Sequence, residues 1–324
     1  MIGNDVHRAA RLLREGGIVA IPTETVYGLA ANAFDEAAVL KIFQAKQRPA
    51  FDPLIVHVCD RKQVEEVVSH FPPGAEALME KFWPGPLTLV LPKKSVVPDI
   101  VTSGLDTVGV RMPAHPLTLE LLRSLDFPLA APSANPFGYV SPTNAQHVAD
   151  QLGDIIPYIL DGGACAVGVE STIIGYEDGR WVLYRPGGIP VEAIEALIGV
   201  PLLLDVRSSE VENGAGGEGA LRSPGLFPSH YSPRTGVIVG DMQTLLRDNA
   251  PTRCAVISFT VDHHAAINMV LSPSGDLNEA ARKLFAALRS LDASDVDLIL
   301  AEVFPEEGLG RAINDRLRRA STRR

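Results

Sequence analysis

The chain has 324 residues, 46% of them hydrophobic and 21% charged, enough apolar material for a substantial core and a length that suggests two domains rather than one. No apolar run approaches the roughly 20 residues needed to cross a bilayer, so no membrane role is expected and the cytoplasm is the expected location. A formal net charge of −10 speaks against a protein built mainly to grip phosphate backbones.

Val6, Ala9, Ala10 and Leu13 fall at helical spacing ahead of Gly16 and Gly17, so the first residues read as a helix and not as a signal peptide. From there to about Pro201, short apolar runs alternate with helical patterns. Strands are expected at Ile18–Ile21, Leu54–Val58, Leu87–Leu91, Val108–Arg111, Ile155–Leu160, Ser171–Ile174 and Trp181–Tyr184. Helices are expected at Glu36–Gln47, Arg61–His70, Ala75–Phe82, Pro116–Leu125, Thr143–Leu152 and Val191–Ile198. The pattern is α/β, and the close spacing of the later strands implies mixed rather than purely parallel pairing.

Residues 207–219 are rich in Gly, Ser and Glu and read as a linker. Within it Gly214, Gly216 and Gly219 match G-x-G-x-x-G, but no strand leads in and SPG follows where a helix should open, so a dinucleotide site is not supported. Beyond the linker, strands at Val237–Val239, Cys254–Phe259 and Val296–Val303 alternate with helices at Met242–Arg247, Leu277–Leu291 and Leu309–Arg319. This is a parallel sheet of about 85 to 90 residues with no evident catalytic cluster, a scaffold or cover for the first domain. The closing RLRRASTRR reads as a solvated, cationic helix end. Cys59, Cys165 and Cys254 lie far apart with no C-x-x-C pair; they read as small buried or half-buried thiols, without a disulfide framework or zinc site.

The chemistry concentrates at strand ends. After Ile21 a turn carries Thr23, Glu24, Thr25 and Tyr27, where open α/β sheets place ligands; Thr23 or Thr25 could equally cap a following helix. Lys46 and Arg48 precede a loop stiffened by Pro49 and Pro53, with Asp52 and His57 around the next strand. Two such cations can hold a polyphosphate or simply answer a helix dipole. Later turns are dense in Ser, Thr, Gly and Pro, with Arg111 and Arg185 interspersed. There is no Walker motif, no G-x-S-x-G elbow and no zinc-ligand spacing. A hydroxyl-lined pocket with several cations and few bases suits phosphoryl or nucleotidyl transfer, where catalysis is positioning and charge stabilisation.

In order along the chain, PTETVYGL, K-x-R followed by PLIVH, WPGPLT, SG..TVGVRMP.HP, APSAN.FG..SPT, G.ESTI, RPG and SPG…HYSP resemble the YrdC/Sua5 family over nearly the whole length. The resemblance implies a YrdC-like twisted mixed sheet with flanking helices, then a small Rossmann-like α/β domain. Its divisions would be 1–205 catalytic, 206–235 linker and active-site lid, and 236–324 C-terminal. It implies L-threonylcarbamoyladenylate synthesis from L-threonine, bicarbonate and ATP, with Mg2+ on the phosphates and no protein-held metal. The product would pass to a tRNA threonylcarbamoyltransferase that modifies adenosine 37 of tRNAs reading codons that begin with A, so tRNA would be met only indirectly. By position, Thr25, His57, Arg111 and Ser171 are similar to threonine-binding residues. Lys46, Arg48, Ser133, Ser141 and Arg185, with Thr107 and Asn135 beside them, are similar to ATP-binding residues. Lys46 and Arg48 would carry activity, and Tyr231 would close the lid, keeping water from a labile adenylate. Asp52 departs from the Asn common in the family, and its carboxylate needs an offsetting cation.

Two rivals remain. YrdC-like domains are also linked to RNA binding, which the net charge opposes. A carbamoyl-transferring maturation enzyme would bring zinc-finger and acylphosphatase-like parts that this sequence lacks.

Overall fold

The computed structural model describes residues 1–49, 52–204, 230–249 and 253–322. The expected linker, its glycine pattern and SPG lie largely outside the described residues.

The first domain is built on an 11-stranded sheet. Its spatial order is Ile2–Gly3, Ile159–Leu160, Val19–Ile21, Gly28–Asn32, Leu129–Ala130, Ile55–His57, Thr107–Arg111, Leu87–Pro92, Thr172–Glu177, Arg180–Arg185 and Leu203–Leu204. Pairing is mixed, as the strand spacing predicts: Ile55–His57 runs parallel to Thr107–Arg111, which runs antiparallel to Leu87–Pro92. The edge strands and the pieces Gly28–Asn32 and Leu129–Ala130 carry no clear sequence signal because they are short or glycine- and alanine-rich. The segment after Thr23 continues as the strand Gly28–Asn32, so the helix that Thr23 or Thr25 would cap is not there.

Side-chain alternation divides the sheet's two faces. Val56, Val108, Val110, Leu87 and Leu89 join a core under helices such as Glu36–Lys46, Ala75–Phe82 and Val191–Ile198. Val19, Ile21 and Ala30 point the other way and pack on Val6–Arg14 and Pro116–Ser124. Thr88, His57 and Arg111 occupy the alternate positions of the middle strands, on the face that carries the cavity.

The second domain has four parallel strands in the order Gly236–Gly240, Leu298–Glu302, Cys254–Ser258, Ile267–Val270, one more than the sequence predicts. Its helices Leu277–Asp292 and Gly310–Ser321 build a core that also takes in Val26, Val140, Val169 and Tyr231 from outside it. Contact is backbone-close: a Cβ on Gly168, at φ +82°, would lie 2.3 Å from the Arg282 Cα. Arg289 extends the junction, donating to the Ser141 and His147 carbonyls at 3.3 and 3.5 Å, to the Val140 carbonyl and to Gln151 at 2.9 Å.

Candidate active site

Pro22 ends a strand, and the Thr23 hydroxyl then accepts from the amides of Thr25 (3.1 Å) and Val26 (3.2 Å), a side-chain turn that fixes Thr25. Thr25 Oγ1 lies 2.8 Å from Thr23 Oγ1 and accepts from Arg111 Nη1 at 2.9 Å. Arg111 ends its strand beside His57, its parallel register partner. It also donates from Nη2 to Glu24 at 2.5 Å and from Nε to the Gly85 carbonyl at 3.3 Å. A guanidinium has five N–H groups, so two remain for a planar anion such as a carboxylate. His57 is buried, and desolvation together with Arg111 pushes its pKa down to about 3, leaving a neutral imidazole at physiological pH.

A left-handed Gln47, at φ 52°, ends the helix Glu36–Lys46 and turns the chain so that Arg48 enters the site. Arg48 Nη2 sits 2.7 Å from Asp52 Oδ2 and donates to the Pro53 carbonyl at 2.9 Å. Arg48 thus supplies the offset that the Asp52 carboxylate needs, although burial raises the Asp52 pKa against the pull of Arg48 and Lys46. Lys46 Nζ reaches the carbonyls of Ser133 (2.6 Å) and Asn135 (2.5 Å). Burial lowers its pKa, and Arg48 lowers it further.

Across the site Arg185 donates from Nη2 to the Ser171 carbonyl at 3.0 Å, and Ser171 Oγ lies 2.8 Å from Thr88 Oγ1. Gly187 permits this: a Cβ there would fall 2.3 Å from the Ser171 carbonyl carbon. Ser141 donates to Glu170 Oε1 at 2.5 Å.

These groups surround a cavity of about 50 Å3. Of the residues expected from the sequence, Thr25, Arg48, His57, Arg111, Ser133, Ser171, Arg185 and Tyr231 line it. Lys46, Asp52, Asn135 and Ser141 stand behind that lining, buried and bonded to its members or, for Asn135, to the turn through the Pro136 and Tyr139 carbonyls. Thr107 lies at the opposite end of its strand from Arg111, four residues or about 13 Å away. Sequence reasoning placed Thr23 and Glu24 in a ligand-bearing turn without giving either a role, and it left out Glu170 and His230 from the lining and Arg316 behind it. Glu24 and Glu170 lie within recognisable motifs, and their engagement with arginines is visible only in three dimensions. The tail arginine Arg316 is buried rather than solvated: its Nε donates to Glu170 at 2.8 Å.

Volume has a chemical consequence. At about 50 Å3 the cavity is well below the roughly 300 Å3 at which ligand sites begin. The buried rings of His230 and Tyr231 close it, and Tyr231 stacks on Phe285 at 5.6 Å. Buried cations, a neutral imidazole and paired hydroxyls in a water-poor space can orient an amino acid beside a polyphosphate and stabilise charge moving between them.

Residues 11–187 match the Sua5_yciO_yrdC family model, described as telomere recombination, and residues 189–322 match Sua5_C, the threonylcarbamoyl-AMP synthase C-terminal domain. The chain is 46% identical to the threonylcarbamoyl-AMP synthase of Pyrococcus abyssi, over 97% of this chain and 93% of that one. To the Bacillus subtilis threonylcarbamoyl-AMP synthase it is 43% identical, over 98% and 92%. A crystal structure of P. abyssi Sua5 complexed with L-threonine superposes with a TM-score of 0.92 at 43% identity, covering 99% of this chain and 97% of that one. With both domain models matched in order and relatives aligned end to end, the chain belongs to the Sua5 family of threonylcarbamoyl-AMP synthases.

Proposed function

We propose that this chain makes threonylcarbamoyl-AMP from L-threonine, bicarbonate and ATP. The observation that carries the reading is the convergence of Arg111, with two N–H groups to spare, and the cations Arg48 and Arg185 on one cavity closed by Tyr231. The spare fork of Arg111 suits the threonine carboxylate, with Thr25 and Ser171 flanking it. Val26, Ile55, Ala131 and Pro132 offer the methyl an apolar wall, worth about 1–3 kcal/mol over serine.

The chemistry then follows in two steps. The threonine amine attacks the carbon of CO2 drawn from bicarbonate and loses a proton, giving a carbamate. A carbamate oxygen attacks the α-phosphorus of ATP, the bond to the β-phosphate oxygen breaks, and pyrophosphate leaves. Arg48, Arg185 and Ser133 would hold the phosphates, with Lys46 fixing the Ser133–Asn135 turn from behind. Mg2+ would come with the nucleotide and neutralise its phosphates, because the nearby acids Glu24, Asp52 and Glu170 are each already held by an arginine. Since the cavity is far smaller than a nucleotide, His230 and Tyr231 must withdraw to admit ATP and return to exclude water. The adenylate would serve a separate transferase acting on adenosine 37 of tRNA, as the family resemblance implies.

The test is pyrophosphate release with and without threonine and bicarbonate, for the intact chain and Arg48→Ala. Release that needs both co-substrates and collapses in the variant is expected; release indifferent to threonine would sink the reading.

A further inference from the structure

Arg316 belongs to the last helix of the second domain, yet it is wholly buried against the first. Its Nε donates to Glu170 Oε2 at 2.8 Å, its Nη1 to the Pro186 carbonyl at 2.9 Å and to Asp315 at 2.6 Å. Its guanidinium carbon stands 5.1 Å from the centre of the Tyr231 ring, a cation–π contact. One side chain thus meets an acid of the cavity wall, the turn that carries Arg185, and the tyrosine that closes the cavity. Burial opposes its charge, and the carboxylates of Glu170 and Asp315 favour it and keep it protonated.

Glu170 poses a problem that this contact solves. Its carboxylate lines the same cavity as Arg48 and Arg185, where polyphosphate charge is expected. One oxygen is taken by Ser141, a neutral donor; the other faces Arg316. A bare carboxylate beside phosphates in a water-poor space repels them strongly. Asp315 fixes the arginine in turn, accepting from Arg316 and, at 3.0 Å, from Arg319, whose carbonyl accepts from Ser232 Oγ at 3.3 Å in the closing segment.

We propose that Arg316 is a positioning residue for the nucleotide site: it neutralises Glu170 and seats the Tyr231 ring, so the second domain completes the electrostatics of the first domain's pocket. The proposal rests on the synthase reading above and deepens it. Arg316 acts through Glu170 and Tyr231, so its loss alters nucleotide binding without removing the threonine fork at Arg111.

The experiment measures affinity for a non-hydrolysable ATP analogue and for threonine, by calorimetry on the full chain, alongside thermal stability. Arg316→Met should weaken the analogue by at least about tenfold and threonine by less than about twofold. Glu170→Gln added to it should recover most of the lost affinity, because the charge that needed answering is gone. An analogue affinity that Arg316→Met leaves unchanged, or a double variant no tighter than the single one, would overturn the proposal. Should Arg316→Met not fold, Arg316→Lys and Arg316→Gln are compared at similar melting temperature. Lys, which keeps the charge, should bind the analogue more tightly than Gln; equal losses would assign Arg316 to packing alone and overturn the proposal. Threonine-dependent pyrophosphate release by the unmodified chain separates the two failures. If it is absent, the synthase reading falls; if it is present with analogue binding intact in Arg316→Met, only this inference falls.

Discussion

Arg111 commits three N–H groups to Thr25, Glu24 and Gly85 and keeps two, a division that only the folded chain reveals. Lys keeps the charge at such a point but loses the planar fork, so Arg111→Lys should raise the threonine KM by about 10- to 100-fold and the ATP KM by less than about threefold. Steady-state kinetics with each substrate varied in turn checks this. His57 gives a pH prediction. The unfolded chain takes up a proton at this histidine near pH 6.5, whereas the folded site resists until about 3. Its contribution is therefore complete above pH 6.5 and is lost as pH falls toward 3, by up to about 1.4 kcal/mol per unit. Burial pushes His147 the same way, to about 4. Melting temperature should fall steadily from pH 6.5 to 4.5 at fixed ionic strength, and a flat profile would count against a neutral buried His57. At this scale the sequence was most legible in singling out Arg48 and Arg111, which the fold brings to one cavity wall. It was silent on Glu170, because an acid among buried arginines makes sense only once Arg316 is seen beside it.

Strand alternation decides which elements carry function. His57 and Arg111 occupy the face of their strands opposite Val56 and Val110, and that placement puts them in the cavity wall. Periodic helices such as Ala75–Phe82 and Val191–Ile198 lie where their spacing predicts, whereas two-residue strands such as Leu129–Ala130 are defined by partners distant in sequence. The turn at Gly187 shows how tightly elements are joined. Gly187→Ala would drive a methyl into the backbone of residues 170–172 and should cost about 1–3 kcal/mol while disturbing Ser171 and Glu170 together. Urea unfolding and turnover measured on the same sample test that, and an unchanged urea midpoint would mean the turn gives way freely. The closing segment is an element in its own right. Removing its ring, Tyr231→Ala, should leave threonine-dependent ATP consumption but yield more AMP and less intact adenylate, as water gains access. Phe285→Ala, which removes the surface under the ring, should reproduce part of that loss from outside the cavity. Product analysis by chromatography distinguishes this from simple loss of rate.

For the molecule as a whole, the junction is the least legible feature, since nothing in RLRR distinguishes a solvated helix end from one whose Arg316 is fully buried in a neighbouring domain. Arg289 is the mechanical counterpart of Arg316: it holds the carbonyls of Val140, Ser141 and His147 across the junction. Arg289→Met should cost about 1.5–3 kcal/mol and split a single thermal transition into two, seen by scanning calorimetry; a single unshifted transition would show that the domains do not depend on this contact. Tyr231, seated between the domains, holds φ at 62°, a region that bulky residues avoid, at a cost of order 1–3 kcal/mol. The closed arrangement therefore carries its own tendency to come undone. Under the function proposed above, nucleotide and Tyr231 would compete for one small volume, and the apparent dissociation constant would equal the intrinsic one divided by the fraction of molecules already open. The threshold at which such a chain responds to ATP can drift over evolutionary time through the backbone preference of a single residue, with every ligand contact left as it was.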